Sequence, residues 1–227
     1  MTKGRLTSMI VTIDGPAGSG KSSVAKVVAE RLGAAFLDTG AMYRAVTFAT
    51  MCEDVEIEDE CALLAILNTK KFHFDISGGG MLVTIDGFDA TEAIRRQEVT
   101  GNVKYIARSP LVRERLVELQ RQFAEEHDAI VTEGRDQGTV AFPDADFKFF
   151  LVADPAERAR RRHLELTEKG EDVDIVKLEE DIRKRDDSDT SREHSPLVKA
   201  DDAVEIDTTP LDLIGVVEKI LSSISTD

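Results

Sequence analysis

The chain has 227 residues, with 29 lysines and arginines against 44 aspartates and glutamates, which gives a net charge of −15. This length is enough for one sizeable α/β core with a small insertion. The acidic balance argues against a nucleic-acid polymer as partner, because binding a phosphate backbone needs a basic surface, whereas a few local arginines can hold a mononucleotide. Since the sequence contains neither a membrane-length apolar stretch nor the apolar segment of a signal peptide, we expect a cytoplasmic protein without a membrane partner.

A glycine-rich loop follows the first predicted strand. Residues 1–8 carry no periodicity and are interpreted as an extension, whereas the apolar run Met9–Ile13 indicates a buried strand. The loop after it contains a complete G-x-x-x-x-G-K-S pattern and leads into an amphipathic helix predicted over Lys21–Leu32. In such a loop, backbone N–H groups converge on phosphate oxygens, and the helix directs its positive end at them.

This loop predicts a site for a nucleoside triphosphate. An ordinary glycine-rich turn is the alternative, but the order strand, loop, amphipathic helix is the one that phosphate binding requires. Lys21 is expected to reach the β- and γ-phosphates, and the Ser22 hydroxyl to take a place on Mg²⁺. The residues predicted to bind the nucleotide are Gly15, Pro16, Ala17, Gly18, Ser19, Gly20, Lys21, Ser22 and Ser23.

Polar residues follow the second predicted strand. Gly33 stops the first helix, 34–37 forms a short strand, and a polar segment at 38–44 comes next. Ligands of open α/β sheets bind at the carboxyl ends of the strands, so Arg44, one turn into the next helix, is placed to meet an anion. A solvated helix arginine is the alternative.

An insertion is predicted over residues 53–99. A short helix at 62–67 precedes two strands at 72–76 and 81–85, and Asp86-Gly87 is a two-residue hairpin signal. The pattern indicates a small antiparallel unit. We interpret it as a clamp for a second substrate, since insertions in α/β enzymes commonly build the site, with surface decoration as the alternative.

A third strand also ends in charged residues. Helices are predicted over 91–106 and from Pro110 to 127, with Arg113 near the start of the second. The apolar strand that follows breaks at Gly134 and delivers Arg135 and Asp136 at its carboxyl end. A salt bridge is the simpler explanation of this pair, but the convergence of three such strand ends favours a site.

The last third of the chain is rich in arginine. A strand at 146–152 leads into a helix starting at Pro155 that carries Arg158, Arg160, Arg161 and Arg162. These arginines indicate either an exposed face with i,i+4 ion pairs or a lid, at 157–173, that brings charge over the phosphates. A helix at 175–185, a charged segment through Arg192, a strand at 203–207 and a helix at 211–224 complete the chain.

With these motifs in place, the chain resembles bacterial-type cytidylate kinases, which phosphorylate CMP and dCMP, over nearly its whole length from Met9. The specific segments are L-D-T-G-A-M-Y-R at 37–44, E-G-R-D-Q-G-T-V at 133–140 with F-P-D-A at 142–145, and R-D-D-S-D at 185–189. The resemblance implies a three-layer α/β/α P-loop fold with a five-stranded parallel sheet, a small antiparallel insertion and a helical lid. The implied kinase core is 9–52 and 100–227, with the monophosphate-binding insertion at 53–99.

The resemblance also implies roles for individual residues. Arg44 and Arg135 would hold the CMP phosphate, Arg113 and Asp136 would recognise cytosine, and Arg185 and Asp189 would hold the ribose. The substrate-binding set is Thr39, Arg44, Arg113, Arg135, Asp136, Arg185, Asp189 and Arg192, and the catalytic set is Lys21, Arg135, Arg158 and Arg162. One position departs from the family, because Lys104 stands where a serine usually contacts the base, and Thr100 and Asn102 are alternative contacts.

The chemistry of cytosine agrees with this assignment. Its amino group needs an acceptor and its N3 and O2 atoms need donors, so a carboxylate beside a guanidinium is complementary. The expected reaction uses ATP and Mg²⁺, with CMP and dCMP as small-molecule partners, in a monomer. The alternatives are another P-loop kinase, of the UMP/CMP, adenylate or shikimate type, and a nucleotide-dependent switch ATPase.

Overall fold

The described part of the chain contains eight strands and eight α-helices. The computed structural model describes residues 9–53, 55–78, 80–168 and 170–225, and the predicted extension at 1–8 lies outside them. The strands are β1 (Met9–Asp14), β2 (Ala35–Asp38), β3 (Phe72–Ser77), β4 (Gly80–Ile85), β5 (Phe88–Asp89), β6 (Ala129–Gly134), β7 (Phe147–Val152) and β8 (Val204–Asp207). The helices are α1 (Lys21–Leu32), α2 (Thr39–Cys52), α3 (Glu60–Thr69), α4 (Gln97–Ile106), α5 (Pro110–Glu125), α6 (Pro155–Glu168), α7 (Ile175–Thr190) and α8 (Leu213–Ile224).

The central sheet has five strands in the order β2-β6-β1-β7-β8, all parallel. Neighbouring residues on a strand enter different apolar clusters, because side chains alternate between the two faces of a sheet. Thus Ile130 packs with α2 and α5 on one face, and Val131 packs with α1 and α8 on the other. This confirms the predicted three-layer α/β/α arrangement.

The insertion forms a three-stranded antiparallel sheet in the order β3-β4-β5. Its β4–β5 turn is at Asp86 and Gly87, with φ angles of 51° and 82°, which is the left-handed geometry that two-residue hairpins require. The inward residues Met81 and Val83 belong to the same apolar cluster as Leu37 of the central sheet. The insertion therefore shares a core with the rest of the chain.

Two predicted helices differ from the structure by more than two residues at one end. The helix predicted over 91–106 is interrupted, since a short 3₁₀ turn at Ala93–Arg95 is followed by an extended Arg96, with ψ 148°, before α4 begins. The helix predicted to end at Arg185 continues to Thr190 as α7. Within the described ranges, no helix combines the length and apolarity needed to cross a bilayer.

Candidate active site

Three acidic residues meet at the carboxyl edge of the central sheet. In the strand register, Asp14 of β1 lies opposite Gly134 of β6, and Asp38 of β2 lies opposite Glu133 of β6. All three carboxylates are buried, with relative exposures of 4% for Asp14, 5% for Asp38 and 6% for Glu133. The fold thus brings together residues from three separate strands.

The loop between β1 and α1 has a backbone that only glycine can adopt at critical points. Gly15 has φ +148°, and a Cβ at this position would lie 2.2 Å from the Leu151 carbonyl oxygen. Gly20, just before α1, has φ +87°. Since non-glycine residues rarely adopt these angles, the glycine pattern in the sequence corresponds to a real steric requirement.

Three backbone carbonyl groups of this loop accept hydrogen bonds from side chains. The Lys21 ammonium donates to the Pro16 oxygen at 2.7 Å. Arg158 donates to the Ala17 oxygen at 3.0 Å, and the Thr208 hydroxyl donates to the Ser19 oxygen at 3.3 Å. These bonds hold the orientation of the peptide units, an arrangement that allows the loop to present N–H groups to an anion.

Lys21 carries a buried ammonium with an unusual acidity. Its relative exposure is 5%. Burial and the neighbouring charge of Arg135 lower the pKa of Lys21 to about 7, although Glu133 and Asp14 act in the opposite direction. A phosphate anion next to this group would favour its charged form. The protein groups alone therefore stabilise the charged form of Lys21 only weakly.

Ser22 and Glu133 provide two oxygen atoms next to each other. The Ser22 hydroxyl donates to Glu133 Oε1 at 2.7 Å, and the Thr39 hydroxyl donates to the Glu133 backbone oxygen at 2.7 Å. Mg²⁺ prefers oxygen ligands, so this pair has the chemistry to hold the ion. Sequence reasoning missed Glu133. The signal in the sequence was its place one residue before the break at Gly134. The structure adds that its carboxylate faces Ser22, the residue predicted to bind metal.

Arg44 lies one turn into α2, and only part of its guanidinium is hydrogen-bonded. Its Nη2 donates to Asp38 Oδ2 at 3.0 Å, and Arg95 Nη2 lies 3.8 Å from the same oxygen. Asp38 also caps α2 by accepting from the Ala41 amide at 2.8 Å. Across the described residues, buried Arg44 Nε has no hydrogen-bond partner. It can therefore donate to a ligand.

Arg113 and Asp136 form a buried ion pair between α5 and the segment after β6. Their side chains are each 6% exposed, and Arg113 also donates to the Ala107 oxygen at 3.3 Å. The Arg113 guanidinium carbon lies 5.5 Å from the centre of the Tyr43 ring, within the range of a cation–π contact. Arg113 Nε is another buried nitrogen for which the described chain provides no acceptor.

Asp189 of α7 joins two arginines at the same edge. It accepts from Arg135 Nε at 2.8 Å and also pairs with Arg192. Burial alone would raise the pKa of Asp189, but the charges of Arg135 and Arg192 hold it below its usual value. Arg185, one turn earlier, is exposed as a whole residue, but the protein atoms packed around its guanidinium and the charge of Arg135 lower its pKa.

The two arginines predicted for the lid have different surroundings. Arg158 is 3% exposed, and besides Ala17 it contacts the Ala153 oxygen and Asp186. Arg162 is 45% exposed and pairs with Glu165 at 2.9 Å on the same helix. Lys104, at the position that departs from the family, is exposed, with its ammonium 4.9 Å from the Tyr105 ring centre.

Known proteins resemble this chain over most of its length. A family model described as cytidylate kinase matches residues 11–226. A protein named cytidylate kinase from Bacillus cereus (strain ATCC 10987 / NRS 248) is 47% identical over 215 residues, 95% of either chain. One of the same name from Bacillus anthracis (strain CDC 684 / NRRL 3495) is 47% identical over 211 residues, 93% of either chain. A solved structure of an uncharacterized protein from Eubacterium ventriosum ATCC 27560 covers 97% of this chain and 99% of its own, with TM-score 0.52 and 16% identity, a likeness of fold alone.

Proposed function

The chain belongs to the cytidylate kinase family, and we propose that it transfers the γ-phosphoryl group of ATP to CMP or dCMP, giving ADP and CDP or dCDP. The observation that carries this proposal is the arrangement at one sheet edge of a phosphate-type loop and a separate group of arginines. A nucleotide-dependent switch would need the loop, but it would leave the arginines at the other strand ends without a ligand.

The donor triphosphate is assigned to the loop at Gly15–Ser23. Its oriented peptide units and the Lys21 ammonium provide positive potential for the β- and γ-phosphates. Mg²⁺ held by Ser22, with Glu133 beside it, would neutralise phosphate charge during the transfer. The Ser22 hydroxyl donates its hydrogen to Glu133, which leaves the oxygen lone pairs of Ser22 free to hold the ion.

The acceptor phosphate is assigned to Arg44 and Arg135, and the ribose to Arg185 and Asp189, with Arg192 nearby. Arg44 supports this assignment through its partnerless Nε, since a buried donor without an acceptor costs free energy until a ligand satisfies it. Thr39, which donates to the Glu133 backbone oxygen, would also contact the substrate. The arginines would bring together the phosphates of ATP and CMP, two anions that otherwise repel each other.

The cytosine base is assigned to Arg113 and Asp136. Asp136 would accept from the amino group, while Arg113 would donate to N3 and O2, and its partnerless Nε supplies a donor for that purpose. Uracil has a carbonyl in place of the amino group. Against Asp136, that carbonyl would put two acceptors together, which costs roughly 1 to 3 kcal/mol.

Catalysis would consist of positioning and charge stabilisation. The acceptor oxygen of CMP is already anionic near neutral pH, so the reaction needs no strong general base. Lys21 and Arg135 would stabilise charge on the phosphoryl group in transit. Arg162 would add charge when the lid closes, and Arg158 would either contact phosphate or act through the loop that it holds.

The proposal is tested by measuring ADP release with ATP, Mg²⁺ and a panel of CMP, dCMP, UMP, AMP and shikimate. We expect release to depend on CMP or dCMP and to be slower with the other acceptors. Slow hydrolysis that no acceptor accelerates would contradict a kinase. The monomeric state, the cytoplasmic location, the lack of a nucleic-acid partner and the division into core, insertion and lid stay predictions.

A further inference from the structure

Arg158 and Asp186 form a two-bond ion pair between α6 and α7. Arg158 Nη1 and Nη2 donate to the two carboxylate oxygens of Asp186 at 3.0 and 2.6 Å. The same guanidinium donates to the Ala17 oxygen of the phosphate loop at 3.0 Å and to the Ala153 oxygen at 3.0 Å. A planar guanidinium can hold several acceptors in one fixed geometry, which lysine cannot do.

This contact links the two halves of the site. One end is the backbone of the donor loop, and the other end is the residue that follows Arg185 and precedes Asp189 by three positions. On a helix, residues three or four apart lie on the same side, so Asp186 and Asp189 share a face of α7. Arg158 therefore connects the charged residues of α7 on the acceptor side to the donor loop.

A second contact fixes the α6 end of this link. Arg161 donates to the Thr208 backbone oxygen at 2.6 Å and to its hydroxyl at 3.1 Å. That hydroxyl in turn donates to the Ser19 oxygen of the loop at 3.3 Å. Helix α6 is thus tied to the loop directly through Arg158 and indirectly through Arg161 and Thr208. The Arg158–Asp186 pair connects α7 to this arrangement, and the Arg135–Asp189 pair separately connects α7 to the segment after β6.

We propose that Asp186 is a positioning residue that, through Arg158, sets α7 with Arg185 and Asp189 at a fixed distance from the phosphate-binding loop. The inference rests on the proposed function, because it assigns the two linked parts to donor and acceptor. Asp186 has no positive charge to offer a phosphate. Its variants therefore separate a positioning role from direct phosphate contact by Arg158.

The kinetic test compares Asp186→Asn with Asp187→Asn. Asp187 is the next residue of the same helix, and it is exposed, so the control makes the same chemical change outside the link. Because a misplacement of about 1 Å can cost 100-fold in rate, we expect kcat of Asp186→Asn to fall about 10- to 100-fold. The Kd for ATP, measured without CMP, should change less than threefold, since the loop residues that touch ATP remain.

A second measurement does not depend on activity. Backbone amide exchange in the ligand-free protein should accelerate at both 15–20 and 183–190 in Asp186→Asn, and should match wild type in Asp187→Asn. This result is expected whether or not the chain phosphorylates CMP. Failure of the proposed function would appear as a wild-type protein without CMP-dependent ADP release.

Three outcomes would overturn the positioning role. One is a wild-type kcat in Asp186→Asn. Another is a lower Tm with unchanged kcat well below that Tm, which would make the pair a stabilising contact only. The third is faster exchange confined to α7, because the link requires the loop to respond. We further expect Arg158→Lys and Asp186→Asn to lower kcat non-additively when combined, as two ends of one contact do.

Discussion

The donor loop and the acceptor edge are built in opposite ways. The loop is one continuous stretch, Gly15–Ser23, and its backbone angles and oriented peptide units would form the proposed triphosphate site. The acceptor edge consists of side chains from α2, α5, α7 and the segment after β6, held by ion pairs such as Arg113–Asp136 and Arg135–Asp189. A continuous loop can be recognised from local sequence. A group of distant side chains depends on the completed fold, and its charges have partners before any substrate arrives.

The largest effect is expected from a substitution that disables only the loop assigned to ATP. Lys21→Met keeps the length of the buried chain but removes its charge, and loss of one transition-state charge contact costs roughly 3 to 4 kcal/mol. We expect kcat to fall about 100- to 1000-fold, measured by ADP release, while the fold persists by circular dichroism. The control is Lys26→Met, an exposed lysine on the same helix. Near wild-type turnover in Lys21→Met would remove this residue from the mechanism.

The next effect concerns Asp14, which joins the two halves. Its carboxylate ends β1, directly before the loop, and accepts from the Gln137 and Gly138 amides at 2.9 and 2.8 Å. Burial raises the pKa of Asp14 from 3.8 to about 6 although these amides lower it. The folded chain then holds this proton more tightly than the unfolded chain. The resulting stabilisation is present below pH 3.8 and is lost as the pH rises through about 6.

This sign gives a measurable difference in stability. A shift of this size corresponds to about 3 kcal/mol at most. We expect the free energy of unfolding of wild type, relative to Asp14→Asn, to decrease by up to that amount from about pH 4 to about pH 7, by urea denaturation at each pH. Asp128→Asn, which changes an exposed carboxylate directly before β6, is the control. A difference that stays constant with pH would mean that Asp14 titrates alike in both states.

A smaller effect sharpens the acceptor half through its choice of base. In Asp136→Asn the carboxylate becomes an amide that can donate to the uracil carbonyl. We expect the ratio of kcat/KM for CMP over UMP to fall about 10- to 100-fold. The ratio is internal to each variant, so a general loss of stability from breaking the buried pair cancels. Asp144→Asn, an exposed carboxylate, should leave the ratio unchanged. An unchanged ratio in Asp136→Asn would reassign base recognition toward Lys104 or Asn102.

The smallest effect concerns the insertion. Because its sheet shares an apolar cluster with β2, and α2 carries Arg44, occupancy of the acceptor site should reach it. Amide exchange at 53–95 is expected to slow several-fold with CMP and less with ATP, since only CMP is assigned to that half. Equal protection by ATP alone would show that the insertion is no clamp for the monophosphate.

The elements fixed by local chemistry were predictable from the sequence. The strand, loop and helix through Leu32 follow from an apolar run and a glycine pattern, and the β4–β5 hairpin follows from Asp86-Gly87. The part of α7 beyond Arg185 was not predictable from the sequence. Its aspartates and serine have weak helix propensity, and the helix continues because Asp186 and Asp189 pair with arginines outside it.

The location of the candidate site residues could be predicted from the sequence, but their contacts could not. Strand ends indicated Arg44, Arg135 and Asp136, because carboxyl ends of parallel strands share one edge. The partners came only with the fold. Glu133 beside Ser22, and Asp186 beside Arg158, join residues far apart in sequence, and no local pattern specifies which carboxylate meets which cation.

The continuity of helix α7 restricts how the length of this segment can vary. Arg185, Asp186 and Asp189 lie on one uninterrupted helix, so their angular order is set by the count of residues between them. Deleting a single residue within α7 rotates everything beyond it by about 100° and moves it by about 1.5 Å along the axis. Natural variation here should therefore consist of replacements on the exposed side. Insertions and deletions should collect in the connection between α6 and α7, where a change in length leaves the rotation of α7 untouched.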